Sequence, residues 1–522
     1  MVAALALVVR ALGFVEKILL AYFFGTGMEA DAYLVAYSLV FSAYILLRDV
    51  VGPAFLPVFI ETGRQSKRDA WRLFRGVATW LLLLLGAATI AGMVAAEALV
   101  SLAAPGFPDG SEQQLLTVRL TRLAMPGLLL LGLSTLTTAT LQARKRFALP
   151  SLGEAAFRTG PIVFFLILGR VEALAIGVVG GAVAKLGLES LGLRRPALQA
   201  AAGQARLLLP AFDRDLVQFA PLRRIARLAA PLLAGLSLSL FVGPLVDNAF
   251  ASQAGVGGVS ALAYARKIGE TLTSILPYTL GLVLFPFSAE LAADRDEKAL
   301  ADMLLSAIRA LSLIFLPVML GLIVLREPFI RLLLERGAFT GESTQLTAGP
   351  LLFYAMGLLS FALEIIVVRF FYARQNTLTP VLADVAAFAL NVALILQLMP
   401  SLGLGGIALA TTIAKTAKVL VLLALFSWRV PAFRLVRLAP FAGQMALCSL
   451  AAIASLAALP AALALGPQLG TGAAATLATL IAGGAVAGGA FLLAAYALKV
   501  EEVRMLWARG LAWSRALVLR RR

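Results

Sequence analysis

The chain has 522 residues, of which 61% are hydrophobic and only 14% are charged. A soluble globular domain is nearer half apolar and a quarter charged, so this composition excludes an ordinary soluble protein. The chain has no histidine and a single cysteine, Cys448. This excludes histidine proton relays, the usual histidine zinc sites and an intrachain disulfide.

The apolar residues are arranged in blocks long enough to cross a bilayer, for which a helix needs about 20 residues. A transmembrane β-barrel would show short segments of alternating hydrophobicity instead. We therefore predict an all-α polytopic membrane protein with 14 transmembrane helices. In chain order, the predicted spans cover residues 2–24, 31–59, 76–103, 119–142, 150–169, 173–193, 225–251, 259–288, 304–325, 346–371, 379–400, 403–427, 440–465 and 471–498.

Lysine and arginine concentrate in the loops that follow even-numbered spans and in the C-terminal tail. The positive-inside rule then predicts that both termini lie in the cytoplasm. We interpret the net charge of +17 as an orientation signal and as contact with anionic lipid, not as a nucleic-acid surface. The residues are Arg64, Lys67, Arg68, Arg72 and Arg75 after span 2, Arg144, Lys145 and Arg146 after span 4, Arg429, Arg434 and Arg437 after span 12, and Arg520, Arg521 and Arg522 at the end.

The chain repeats itself at an offset of about 230 residues. Each match alone is weak, but several matches at one offset and in the same order indicate a duplicated unit. The matches include AFLPVFIE (54–61) with VLFPFSAE (283–290), ARKRFALP (143–150) with ARQNTLTP (373–380), Glu154 with Asp384, and Lys185 with Lys415.

The offset covers six spans, and an even number of spans keeps both halves in the same orientation. We therefore predict two six-helix lobes, related by a parallel pseudo-two-fold repeat, plus two C-terminal helices. A pair of such lobes leaves a cavity between them and allows alternating access. The predicted domains are an N-lobe at 1–198, a cytoplasmic connector at 199–224, a C-lobe at 225–428, spans 13 and 14 at 429–498, and a basic amphipathic cytoplasmic tail at 499–522.

Predicted spans 1, 2 and 8 contain five basic residues, Arg10, Lys17, Arg48, Arg266 and Lys267. A basic residue at the centre of a membrane helix costs about 2.5–3.5 kcal/mol on insertion scales, so such residues face a cavity or a partner. Arginine binds phosphate oxygens bidentately, and lysine acts as a mobile point charge. We therefore predict that uncompensated cations among these five bind the diphosphate of an anionic substrate.

Acidic residues accompany these cations, and the sequence leaves their role open. They pair with basic residues and fix helix packing, or they take part in gating and coupling. In the second case Asp31, Asp247 or Glu270 would bind a coupling cation, Na⁺ or H⁺, and no other cofactor or metal is expected. The acidic residues are Glu16, Asp31, Asp49, Asp247 and Glu270. Further charges inside the spans are Arg158, Lys415 and Lys418.

The chain contains no G-x-x-x-x-G-K-[ST] phosphate loop, so no ATP-driven engine is encoded. Transport would then draw on an ion gradient or on the membrane potential, which is worth about 2.3 kcal/mol per charge and 100 mV.

Residues 10–37, RALGFVEKILLAYFFGTGMEADAYLVAY, resemble the start of the lipid II flippases, the MurJ/MviN group of the multidrug/oligosaccharidyl-lipid/polysaccharide (MOP) exporter superfamily. The residues that match this group are Arg10, Leu12, Gly13, Phe14, Phe24, Gly25, Gly27, Asp31, Ala32 and Tyr33. Four other stretches are also similar to it, namely APGF at 104–107, AYARK at 263–267, GAFT at 337–340 and FYARQNTLTP at 371–380.

The resemblance implies two six-helix lobes around a cationic cavity, with a groove at spans 13 and 14 for a polyprenyl tail. It implies that the protein flips the peptidoglycan precursor lipid II from the inner to the outer leaflet of the bacterial cytoplasmic membrane. Its partners would be this glycolipid and the membrane lipids. By the same resemblance Arg10 matches a basic residue of the group, and Lys267 falls where the group has an arginine.

The chain departs from the group at two of the implied binding positions. In span 1 the usual Arg-Asp pair is reversed in sign, as Glu16-Lys17. In span 2 the usual basic pair aligns near Tyr44-Ile45, and Arg48 lies about one helical turn later.

These departures leave three alternatives open. The chain could flip another lipid-linked oligosaccharide or polysaccharide unit, or it could be a scaffold that has lost transport. A membrane-embedded polyprenyl-lipid transferase would need clustered catalytic carboxylates at one membrane face, whereas the acidic residues here are scattered. We expect a monomeric, secondary-type transporter that is not an enzyme and does not bind nucleic acid.

Overall fold

The computed structural model describes residues 2–200, 220–464 and 473–504. Within these ranges the regular secondary structure is helical and contains no strand, which confirms the predicted all-α class. Residues 201–219 of the predicted connector and 505–522 of the predicted tail lie outside the described residues.

Eighteen α-helices follow one another along the described part of the chain. They are α1 (Val2–Phe24), α2 (Met28–Gln65), α3 (Lys67–Val94), α4 (Ala96–Ala103), α5 (Glu112–Ala124), α6 (Pro126–Ala143), α7 (Ala148–Leu168), α8 (Val171–Ala200), α9 (Ala220–Leu236), α10 (Gly243–Ser252), α11 (Gly258–Ala293), α12 (Glu297–Leu334), α13 (Gly341–Met356), α14 (Leu358–Ala373), α15 (Leu378–Leu402), α16 (Leu404–Arg429), α17 (Ala439–Ala464) and α18 (Ala473–Ala497).

In the described ranges, 11 helices are long and apolar enough to cross a membrane, or up to 13 if two bent helix pairs each count as one span. Helix α1 occupies predicted span 1 but is not among them. It carries Arg10, Glu16 and Lys17 within 23 residues, and these three charges make it less apolar than a typical membrane-spanning helix. The described residues therefore do not confirm the predicted count of 14.

Several predicted spans are broken helices. Predicted span 10 bends by 46° at Gly357, between α13 and α14. Predicted span 7 bends by 53° between α9 and α10, where a π-helical segment (Ser237–Val242) interrupts the α-helical hydrogen bonds. In predicted span 4, α5 stops before Pro126, whose ring and missing N–H disfavour a continuous helix.

The contacts divide the chain into two compact units, and the division falls inside α11. Unit 1 comprises Met1–Ala263 and Arg336–Phe339, and unit 2 comprises Tyr264–Glu335 and Thr340–Arg522. The core of unit 1 includes Phe55 and Trp71 of α2 and α3. In unit 2, Cys448 of α17 is fully buried in one apolar cluster with Phe491 of α18, as is typical of a free cysteine that acts as a small core residue.

Two of the glycine-containing motifs form close backbone contacts inside unit 1. The Ala338 N–H donates to the Tyr22 carbonyl over 2.8 Å. A Cβ at Gly25, which has φ +56°, would lie 2.9 Å from the Ala338 carbonyl carbon. The Gly106 N–H likewise donates to Ser252 Oγ over 3.0 Å. Glycine is required at both positions because another backbone passes directly over the Cα atom.

Replacement of Gly106 by alanine is expected to lower the free energy of unfolding by about 1–3 kcal/mol, the usual cost of overpacking. The added Cβ would lie 2.5 Å from the Gln253 backbone nitrogen and still closer to the Ser252 carbonyl. Thermal unfolding of the purified protein in detergent measures this change. Gly86→Ala is the matched control, because a Cβ there meets no atom within 4 Å. Equal stability of the two variants would contradict the contact.

Candidate functional site

Helix α1 places one cation against the carboxylate next to it in sequence. Lys17 Nζ lies 3.3 Å from Glu16 Oε1, and both side chains are largely buried, with 13% and 3% exposure. The same ammonium lies 4.9 Å from the ring centre of Tyr37 and 5.8 Å from that of Tyr33. The Tyr33 hydroxyl donates to Glu16 Oε1 over 3.4 Å. A carboxylate and two aromatic faces therefore hold this cation.

The tyrosines belong to an aromatic ladder on one face of α2. Tyr33, Tyr37 and Phe41 are spaced by four residues, which places them above one another on a helix. Tyr37 and Phe41 stack with ring centres 4.9 Å apart. A second cation, Arg158 of α7, lies 4.7 Å from the Phe41 ring centre and donates to the Tyr37 hydroxyl over 3.4 Å. Tyr37 thus contacts both Lys17 and Arg158.

From Arg158 an ion-pair network continues into the unit. Arg158 pairs with Glu154, one turn earlier on α7, at 3.5 Å. Glu154 also lies 3.4 Å from Lys185 Nζ of α8 and accepts a hydrogen bond from the Tyr44 hydroxyl over 3.1 Å. One carboxylate therefore joins two cations from different helices.

The network ends at a fully buried glutamate. Lys185 pairs with Glu189, one turn along α8, at 2.9 Å. Glu189 also accepts hydrogen bonds from Thr138, over 2.9 Å, and from Thr137, both of α6. The formal charges of this network balance, with three cations and three carboxylates, namely Lys17, Arg158 and Lys185 with Glu16, Glu154 and Glu189.

Unit 2 contains a comparable network on the helices that repeat α6, α7 and α8. The buried Lys418 of α16 pairs with Glu364 of α14 at 2.6 Å and with Asp384 of α15. Lys415 also reaches Glu364, at 3.4 Å. Glu154 and Asp384, which the sequence repeat matches with each other, thus each lie beside a buried lysine. In unit 1 this lysine is Lys185. In unit 2 the deeply buried lysine is Lys418, about one turn after the matching position.

In the conformation described, two of the predicted diphosphate ligands are compensated. Lys17 pairs with Glu16, and Arg48 pairs with Asp49 at 2.9 Å, the latter pair being 47% and 38% exposed. These two cations therefore have carboxylate partners in this state, and their predicted role as diphosphate ligands stays a prediction. Arg10 is half-buried on α1, and its predicted role stays a prediction.

Asp31 has a clear packing role. It is fully buried and accepts hydrogen bonds from the backbone N–H groups of Gly257 and Ser260, each over 2.7 Å. These groups lie at the start of α11, so Asp31 caps a helix N-terminus from another helix. Gln113 approaches the same carboxylate at 3.5 Å. The geometry favours the first of the two roles predicted for the acidic residues.

The remaining predicted residues lie on α10 and α11. Asp247 is buried in unit 1. Arg266 and Lys267 are half-buried in unit 2, and Glu270 is exposed there. Their roles in binding, gating or coupling stay predictions. Among the described residues, no group of three or more histidine, cysteine, aspartate or glutamate side chains could hold a metal ion.

A separate cavity of about 760 Å³ lies within unit 2, between the ends of α11, α12 and α14. Its wall includes Arg374, which lies 3.4 Å from Glu297, and apolar side chains such as Phe285 and Leu300. The volume suits a small ligand.

The interpretation of the sequence missed most of this network. The sequence places Arg158 inside a span but does not indicate it as a ligand. Two signals could have found the rest, namely the i,i+4 spacing of Lys185 and Glu189 and the aromatic period of four along α2. The ladder also explains why cations gather here, since aromatic faces attract them.

Comparison with known proteins identifies the family. A family model described as "Lipid II flippase MurJ" matches residues 20–477 of the chain. The probable lipid II flippase MurJ of Rhizobium meliloti is 28% identical over 429 residues, which cover 80% of this chain and 78% of the relative. The lipid II flippase MurJ of Burkholderia cenocepacia is 26% identical over 424 residues, which cover 78% and 79%.

Solved structures agree on the fold. A lipid II flippase MurJ in an inward-closed conformation is similar with a TM-score of 0.75 and 22% identity, over 94% of this chain and 97% of that one. An inward-facing MATE family multidrug transporter of the MOP superfamily gives a TM-score of 0.68 and 18% identity, over 82% and 95%. Because the family model matches most of the chain, the protein belongs to the MurJ family of lipid II flippases, as its motifs indicated.

Proposed function

We propose that this protein is a flippase that moves lipid II from the inner to the outer leaflet of the bacterial inner membrane. The observation that carries the proposal is the pair of largely buried cations, Lys17 and Arg158, on either side of Tyr37. Ionisable residues inside membrane helices are costly and mark substrate or ion paths. A polyprenyl-diphosphate lipid brings an anion that must be neutralised in the membrane, and these cations are suited to bind it.

The chemical roles follow from the side chains. Arg158 offers a planar fork of N–H donors to phosphate oxygens, and Lys17 offers a compact charge. Arg10, Arg48, Arg266 and Lys267 are the further ligands that we propose. Alternating access exposes the bound headgroup first to the cytoplasmic side and then to the opposite side.

The polyprenyl tail stays in the membrane during this movement, and we propose that it lies along α17 and α18. These two helices pack against each other and against α12. Their outer surfaces carry exposed apolar side chains, including Leu450 of α17 and Ile481 of α18. Such surfaces suit contact with a long apolar chain.

Orientation and energy source are part of the same proposal. Trp428, which is 77% exposed, lies at the end of α16 beside Arg429, as expected where a span leaves the membrane on the basic side. We place this side, and both termini, in the cytoplasm. With the cytoplasm electrically negative, outward movement of an anionic headgroup runs down the membrane potential, by about 2.3 kcal/mol per charge and 100 mV.

A depletion strain tests the substrate. Expression of the chain in a bacterium depleted of its own lipid II flippase is expected to restore growth. Glu61→Gln removes an exposed ion pair with Arg224 and should restore growth equally, because such pairs contribute little to stability. Failure of the membrane-inserted protein to restore growth would contradict lipid II and favour another lipid-linked glycan, since the reversed pair Glu16-Lys17 would then mark a changed substrate.

A further inference from the structure

The ion pair between Glu16 and Lys17 has a long distance between its charged atoms. Its 3.3 Å distance is longer than the roughly 2.7–2.9 Å of a strong charge-assisted hydrogen bond. Consecutive residues on a helix point in directions about 100° apart, so the helix itself does not align these two side chains with each other. The pair neutralises the charge of Lys17 without fixing the ammonium tightly.

Glu16 has a second donor that does not depend on Lys17. The Tyr33 hydroxyl donates to Glu16 Oε1 over 3.4 Å, and Tyr33 is 1% exposed, so its ring is held in place. When Lys17 turns to another anion, the Glu16 carboxylate keeps a hydrogen bond. This lowers the penalty that a buried carboxylate without any partner would carry.

The arrangement is repeated at the neighbouring cation. Arg158 pairs with Glu154 at 3.5 Å, and Glu154 has its own alternative donors in Lys185 and the Tyr44 hydroxyl. Each of the two cations that contact Tyr37 is thus neutralised by a carboxylate that also has another hydrogen-bond or ion-pair partner.

We propose that Glu16 is a displaceable counter-ion that occupies Lys17 in the unloaded protein and yields it to a diphosphate, while keeping the hydrogen bond from the Tyr33 hydroxyl. The inference rests on the proposed function. It also assigns selectivity to Glu16, because an incoming headgroup must bind Lys17 better than a carboxylate does. A diphosphate, which offers one phosphate group to Lys17 and a second to Arg158, displaces Glu16, whereas a single phosphate competes poorly and a zwitterionic headgroup does not compete.

Binding of undecaprenyl diphosphate and undecaprenyl monophosphate to the purified full chain in detergent tests the inference. The wild type is expected to bind the diphosphate more tightly than the monophosphate. Glu16→Gln should bind the monophosphate at least about tenfold more tightly, as expected when a competing desolvated charge is removed, and should lose most of the discrimination. Glu61→Gln, whose carboxylate lies in an exposed pair, should behave as the wild type.

Tyr33→Phe gives an independent test that changes no charge. Without the alternative donor, displacement of Glu16 becomes harder, and diphosphate binding is expected to weaken by about three- to tenfold, the value of one hydrogen bond. Unchanged or weaker monophosphate binding by a folded Glu16→Gln variant would overturn the inference. So would unchanged diphosphate binding by Tyr33→Phe, should Glu16→Gln fail to fold.

The proposed function fails in a different way. If the wild type binds the diphosphate and Lys17→Gln binds it equally well, the assignment of Lys17 as a ligand is wrong, and the inference falls with it. If Lys17→Gln loses binding while Glu16→Gln gains nothing, the ligand assignment stands and only the role of Glu16 is overturned.

Discussion

Replacement of Lys418 by methionine is expected to lower the free energy of unfolding by about 3 kcal/mol or more, because it breaks a buried ion pair from one side. Lys418 is 5% exposed and lies between Glu364 and Asp384. Methionine fills a similar volume but leaves Asp384 without this cation, and Glu364 keeps only its longer 3.4 Å pair with Lys415. Thermal unfolding of the purified protein in detergent measures the change.

Two further variants test whether the loss of stability comes from the broken ion pair. Arg437→Met breaks a half-exposed pair with Asp302 and should change stability by at most about 1 kcal/mol. Adding Glu364→Gln and Asp384→Asn to Lys418→Met should recover much of the loss, since neither partly buried carboxylate is then left without its cation. A Lys418→Met variant that unfolds at the wild-type temperature would show that the network does not stabilise unit 2.

Replacement of Lys17 by alanine is expected to abolish growth of a flippase-depleted strain without reducing the amount of protein in the membrane. Removal of one member of a buried charge pair with a bound anion costs about 2–5 kcal/mol, which corresponds to at least tenfold weaker binding. Arg10→Ala and Lys267→Ala are expected to have the same effect.

The matched control for these variants is Lys145→Ala. Lys145 is a loop lysine at a helix end, with φ +58°, and no role in substrate binding is assigned to it. Its alanine variant should therefore support growth. Normal growth of the strain with Lys17→Ala, Arg10→Ala and Lys267→Ala would contradict the proposed binding site.

Much of the fold was predictable because apolar length and periodicity dominate a membrane protein. The helices follow the predicted spans closely at most positions. Proline at the start of α6 and glycine between α13 and α14 mark breaks in two of these spans. Helix α1 was the element whose role as a membrane span was hardest to predict from the sequence. Its three charges make it a poor apolar span, and only its contacts with the aromatic face of α2 explain them.

The candidate site was predictable in composition but not in pairing. The sequence indicated which charges lie in spans and matched Glu154 with Asp384. It could not show that Lys17 pairs with its own neighbour, because that depends on side-chain rotamers. Nor could it show that Asp31 caps a helix that begins more than 200 residues later in the chain, since such a contact depends on tertiary packing.

The measurement that tests the account most directly is the movement of fluorescent lipid II across vesicles that contain the purified protein. The fraction of label reached by a reagent on one side is followed over time. The wild type is predicted to move lipid II faster than protein-free vesicles do, and Lys17→Ala is predicted to abolish the difference. Movement no faster than in protein-free vesicles, or equal rates for wild type and Lys17→Ala, would contradict transport by the buried cations of unit 1.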